Sequence, residues 1–183
     1  MADIQNYPMK TISLLVLAGV LAIPVLAVDA LVKTALPANQ KSTPSNPTMS
    51  VTAAKITAPF VVKDGAVSQP ERTEVSGGGR AVFTFTVAAA GDYVVAGVVN
   101  APDEDSNSFY LNIDAEPEDP LMVWDLDVTS GFEERISNWR GSGEAGSGEF
   151  NPKVFKLKAG EHKLIVVGRE PASLKSVAIR PAK

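Results

Sequence analysis

Phe155-Lys156-Leu157-Lys158-Ala159-Gly160-Glu161-His162-Lys163-Leu164-Ile165-Val166-Val167-Gly168-Arg169-Glu170, followed by Leu174-Lys175-Ser176-Val177-Ala178-Ile179, decides the fold. Phe155 and Leu157 alternate with Lys156 and Lys158, the period of a strand with one dry and one wet face. Ala159-Gly160 supplies a turn, because glycine tolerates positive φ. The stretch therefore reads as a strand, a turn, a second strand and a closing edge strand. The same order of residue types occurs earlier in Phe83-Thr84-Phe85-Thr86-Val87, Ala90-Gly91-Asp92-Tyr93 and the apolar run to Val99. Two such units, each read as a hairpin, predict a β-sandwich.

Outward from there, alternation and turn signals predict strands near 51–57, 60–63, 80–87, 92–100, 108–114, 121–127, 133–139, 153–158, 162–168 and 174–180. No stretch after residue 50 keeps a 3.6-residue period, so no long helix is expected. Breaks fall at Gly77-Gly78-Gly79, Pro102 to Asp105, Glu116 to Pro120 and Gly141 to Gly148. The last is glycine-rich but lacks the Gly-Lys-Ser/Thr ending of a phosphate cradle, and reads as a surface loop.

The order and spacing of Ala90-Gly91-Asp92-Tyr93, Leu157-x-Ala159-Gly160-x-His162-x-Leu164, Gly168-Arg169-Glu170 and the closing Leu174-x-x-Val177-x-Ile179 resemble the galactose-binding-like jelly-roll domains. These include the family 6 and family 35 carbohydrate-binding modules, and the resemblance covers residues 51 to 180. It implies an all-β jelly-roll β-sandwich and a non-catalytic sugar-binding role. Those modules carry a Glu-x-Glu pair in an early strand and an Asp in the last strand around a structural calcium. Here the comparable stretches read Lys55-Ile56-Thr57 and Leu174-Lys175-Ser176-Val177, so that calcium site is not expected.

The 183 residues allow one domain with extensions, and the chain has no cysteine, which excludes disulfides and a thiol nucleophile. Lys10 precedes an uncharged run from Thr11 to Val28, with small residues at Val25-Leu26-Ala27 and Val28-Asp29-Ala30. Residues 1–30 read as a cleaved signal peptide or, since about 18 residues can just span a bilayer, a retained membrane anchor. Residues 31–50, with Pro37, Pro44 and Pro47 among Ser, Thr, Asn and Gln, read as a linker. The β-sandwich domain is then 51–183, and it is expected to be secreted, periplasmic or at the cell surface. Membrane contact would come only through the first segment.

Charge is segregated. Ala101 to Glu134 holds eleven Asp and Glu and no Lys or Arg, whereas Arg135 to Lys183 holds ten basic and four acidic residues. The overall charge of −4 gives no basic footprint for nucleic acid. Within the acidic part, Asp103-x-Asp105-x-Asn107 with Asp114 at the twelfth position copies a calcium-loop spacing. A strand over Phe109 to Ile113 would pull those ligands apart, so no cofactor is expected; a looser calcium site from Asp103, Asp105 and Asp114 is the remaining metal candidate.

Phe83, Phe85, Phe109 and Phe155 sit on alternating strands and are assigned to the core. Tyr93 and His162 occupy equivalent places after the two turns and are given a structural role. Arg169-Glu170 reads as an ion pair ending a strand, with a recognition pair as the alternative. Trp124, Trp139, Tyr110 and Phe132 lie in the loop-rich middle, near Asn112, Asp125, Asn138 and Arg140. A sugar is bound by an aromatic plane under its C–H face and polar groups at its rim. The expected ligand-binding set is Trp139, Trp124, Tyr110, Asn112, Asp125, Asn138 and Arg140. Trp139 stands where the resembling modules place a sugar-facing Trp, and a core plug is the alternative; Trp124 leans toward the core edge. No catalytic residue is assigned, because no motif sets two carboxylates across a bond. The expected partner is a polysaccharide or glycan. The alternative is a structural, assembly or adhesion protein of the envelope or extracellular matrix, without a sugar site.

Overall fold

The structure is a computed structural model describing residues 47–140 and 151–183. The signal or anchor segment, most of the linker and the glycine-rich loop lie outside the described residues. Among the described residues twelve strands form two antiparallel sheets: β1 Thr48–Ser50, β2 Lys55–Thr57, β3 Val61–Lys63, β4 Ala66–Ser68, β5 Arg80–Val87, β6 Gly91–Asn100, β7 Ser108–Ile113, β8 Val123–Asp125, β9 Glu133–Ile136, β10 Phe155–Leu157, β11 Gly160–Gly168 and β12 Ser173–Pro181. One sheet runs β10-β6-β12-β4-β3, with β9 also on β6 and β1 also on β12. The other runs β2-β5-β11-β7-β8. The only helical element among the described residues is a single 3-10 turn, Val51–Ala53, capped by Ser50.

The two repeated units are not hairpins. β5 and β6 lie in different sheets, as do β10 and β11, and the hydrogen bonds run between units instead: β10 on β6, β11 on β5. Each unit is an arch that crosses the core. The physical reason is that both of its strands are apolar toward the same interior, and a two-layer fold buries both sets by placing them face to face. Thus Phe83, Phe85 and Val87 of β5 look across at Tyr93, Val95 and Val99 of β6.

A shared device closes both arches. Tyr93 Oη donates to the carbonyl of Ala89 at 2.8 Å, and His162 Nε2 meets that of Lys158 at 2.8 Å. In each case the ring residue reaches back four positions over the Ala-Gly corner.

Three other expectations change. β12 is not an edge strand, since it pairs with β6 on one side and with β4 and β1 on the other. Thr48–Ser50, assigned to the linker, is strand β1. The run 51–57 splits into the 3-10 turn and β2. The hairpin β3–β4 went unread although Asp64-Gly65 marks it. Both turn residues have positive φ, 51° and 74°, as the commonest two-residue hairpin turn requires.

Trp124 sits at the centre of the core, fully buried, with its ring 5.9 Å from that of Phe109. Gly97 of β6 makes room for it. A Cβ there would lie 2.6 Å from Trp124 Cη2.

Candidate functional site

β7 and β8 set the site. Their register pairs Ser108 with Asp125, Phe109 with Trp124 and Tyr110 with Val123. Directly opposed residues share a face, so Phe109 and Trp124 turn inward while Ser108, Tyr110, Asn112, Val123 and Asp125 turn outward. The outer face is covered in part by the segment 69–79. Val75 from that segment packs on the cluster of Tyr110, Val123 and Val167. Gln69 holds the segment in shape: its Nε2 donates to Glu71 O and Thr73 Oγ1, and its Oε1 accepts from Gly79 N. Thr73 N and Oγ1 then donate to the carbonyls of Arg169 and Gly168, fastening it to the end of β11.

Where β11 ends, a buried polar network forms. One carboxylate, Glu170, gathers four donors, three from two other segments and one from its neighbour: Ser108 Oγ at 2.5 Å, Asn107 N at 3.3 Å, Arg72 Nη1 at 3.3 Å, and Arg169 Nη1. Arg169 also donates to Ser108 Oγ at 2.7 Å. Burying two charges is tolerable here because every lone pair facing inward is met. Burial, followed by the charge of Asp119, pushes the Tyr110 hydroxyl above its usual range, with Arg169 opposing the shift.

Beside this network Asp125 and Arg140 form a two-pronged ion pair, Nε to Oδ2 at 3.0 Å and Nη2 to Oδ1 at 2.5 Å. Asn138 fixes its geometry. Its side-chain amide accepts from Asp125 N at 3.0 Å and donates to Asp125 O at 2.7 Å, imitating a strand neighbour along β8. Together these groups wall a cleft of about 460 Å³ lined by Arg72, Glu104, Asn107, Asp125, Leu126, Asp127, Val128, Arg140, Arg169 and Glu170. Three guanidiniums and four carboxylates are among these residues. Such a lining supplies donors and acceptors at close spacing, the complement of neighbouring hydroxyls that both give and take hydrogen bonds.

The structure brings only part of the expected set to this cleft. Asp125 and Arg140 line it, and Asn138 braces Asp125 from behind. Trp124 offers no face to a ligand, because all of it is in the core. Tyr110 is likewise buried, under the 69–79 segment. Asn112 is buried and bonds the next backbone amide, Ile113 N, at 2.8 Å.

Trp139 is half-buried and is not among the cleft-lining residues. Its Nε1 donates to Leu111 O at 2.9 Å, its edge meets Phe155, and Lys153 Nζ lies 3.8 Å from its ring centre. The ring seals the sandwich where β8 stops covering β7. Desolvation there pushes the Lys153 ammonium below its usual range.

The metal candidates separate. Asp103 sits in the loop before β7 and Asp114 after it, and a six-residue strand between them spans about 20 Å. Asp114 is bound to His162 instead. Among the described residues no three His, Cys, Asp or Glu side chains gather in a way that could hold a metal ion.

Sequence reading missed Arg72, Glu104, Asn107, Asp127, Arg169 and Glu170 as cleft residues. Pro102 to Asp105 was legible as a loop and Arg169-Glu170 as an ion pair. That five separate loops meet at one end of the sandwich depends on the two arches, which alternation alone does not reveal.

No protein-family model matches the chain, and no curated protein matches it. Solved structures do. A family 35 carbohydrate-binding module from Clostridium thermocellum superposes with a TM-score of 0.53 at 11% identity, over 75% of this chain and 99% of the module. The mannan-binding module of Man5C gives a TM-score of 0.50 at 16% identity, over 75% and 99%. A Podospora anserina β-(1,4)-mannanase carrying a family 35 module gives 0.51 at 12% identity, but only 28% of that longer chain is covered. Among the described residues no helix is long and apolar enough to cross a membrane. At these identities the likeness is one of fold, and the fold of the described residues is the galactose-binding-like β-sandwich of carbohydrate-binding modules.

Proposed function

We propose that this chain is an exported, non-catalytic carbohydrate-binding module whose ligand enters the cleft between Arg72, Asp127 and Arg140. The observation that carries the reading is the cleft itself, in which charged groups from five loops supply donors and acceptors around a space of small-ligand size. The neighbouring structures support it, since two modules covered almost end to end are named for carbohydrate or mannan binding. Asp125 and Arg140 fix one wall, the Glu170 network fixes the floor, and the exposed side chains of Arg72, Glu104 and Asp127 are placed to meet sugar hydroxyls. The described lining residues meet a ligand through hydrogen bonds to its hydroxyl edges.

The test is retention of the purified chain on insoluble mannan, β-1,3-galactan, xylan and β-glucan, with calcium and with chelator. Retention on at least one polymer, competed by its own oligosaccharides, is expected. Passage through all of them would favour the assembly or adhesion role.

A further inference from the structure

His162 stands at the end of β11 remote from the cleft, six residues before Gly168, about 20 Å along the strand. Both of its ring nitrogens face acceptors. Nδ1 is 2.6 Å from Asp114 Oδ2 and Nε2 is 2.8 Å from Lys158 O. A neutral imidazole has one N–H and one lone pair, and only the imidazolium can donate to both. The ring thereby ties together β11, the corner that follows β10 and the residue that follows β7.

The geometry points to a protonation-dependent latch: His162, when charged, closes the second arch against Asp114, and when neutral it turns one of the two contacts into lone-pair repulsion. The first arch serves as an internal control, because Tyr93 makes the equivalent closure with a phenol hydroxyl in place of an imidazole.

The groups around His162 can be named element by element. On β11 they are Glu161 and Lys163, both exposed, the latter also donating its amide to Asp114 Oδ1 at 2.8 Å. From the corner comes Lys158, whose side chain points to solvent while its carbonyl faces the ring. From the end of β7 comes Asp114, held at φ 62°. From β5 comes the uncharged ring of Phe85, 5.7 Å away. Two acids and two bases leave no net local charge, so the direct contacts decide. The Lys158 carbonyl first, and the Asp114 carboxylate after it, raise the ring above its usual 6.5 against the opposing effect of burial. The same arrangement excludes general-base chemistry at this histidine, for Nε2 is already occupied.

The experiment is an NMR titration of the His162 ring in the full chain, with amide exchange at Lys163 followed alongside. The ring is expected to titrate above 6.5. Protection of the Lys163 amide should fall as pH rises through that midpoint, with no matching fall at the Tyr93 arch. His162→Gln, which titrates nowhere in this range, should abolish the pH dependence, and Asp114→Asn should lower the midpoint. A ring that titrates at or below 6.5, or Lys163 protection that loses nothing across the midpoint, overturns the latch. Because the titration needs only the wild-type protein, it decides the matter even if a variant fails to fold.

Discussion

Gly97 lacks a side chain because Trp124 fills the space where one would stand. The pair makes a prediction at the scale of single residues. Gly97→Ala drives a methyl to 2.6 Å from the indole and should cost about 1–3 kcal/mol by overpacking. Trp124→Ala should cost about 3–5 kcal/mol, since the ring is wholly buried. Trp139→Ala should cost less, about 2 kcal/mol, through one lost hydrogen bond and part of a ring contact. Denaturant midpoints of the three variants check the order; a Trp124→Ala protein as stable as wild type would contradict the burial. For Trp139 the sequence showed an aromatic beside Asn138 and Arg140 and left platform and plug open. What it did not show is the Leu111 carbonyl, bare because β8 is so short, that fixes the indole in place.

At the scale of elements, the β3–β4 hairpin projects from the sheet edge on a turn in which Gly65 has φ 74° and open space around it. Gly65→Ala therefore meets no clash, only backbone strain, and should cost about 1–2 kcal/mol. Faster amide exchange confined to Val61–Ser68 would show that the hairpin loosens alone; a global loss of structure would contradict it. Strand positions were largely legible because alternation reports burial on one face. Partnership was not. Phe83, Phe85, Tyr93 and Val95 carry the same pattern whether β5 and β6 form a hairpin or an arch, since either places these side chains toward one core. The choice is made by what else packs there, and β11 and β12 supply neighbours that a lone hairpin would lack.

At the scale of the whole molecule, the segregated charges meet one another. Asp114, Asp125 and Glu134 from the acidic stretch are held by His162, Arg140 and Arg180 from the basic one. Stability should therefore depend on pH at both ends. Burial acts to raise Asp114, but the hydrogen bonds from His162 and the Lys163 amide, together with the charges of both residues, outweigh it, and its pKa falls below the ordinary 3.8. The amide of Ser130 lowers Glu133, and Arg180 lowers Glu134, below the ordinary 4.5. A depressed acid stabilises the fold above its unfolded value, and that contribution is lost as pH falls through the folded value. His162 is raised, so its contribution is complete below 6.5 and lost as pH rises through the folded value. Thermal melting should thus peak between about pH 4.5 and 6.5. A Tm still rising between pH 7 and 9 would contradict this balance.

Whether the cleft walled by Arg72, Asp127 and Arg140 holds the sugar is decided by titrating one oligosaccharide against matched variants. Wild type, Arg72→Ala, Asp127→Ala and Trp139→Ala would be measured by calorimetry with a ligand taken from the polymer that retains the chain. Loss of a charged hydrogen bond is worth about 1.5–3 kcal/mol, so each cleft variant should bind about tenfold or more weakly. Trp139→Ala should keep its affinity while losing stability. Unchanged affinity in both cleft variants, with binding lost only in Trp139→Ala, would contradict the account and place the sugar on the indole.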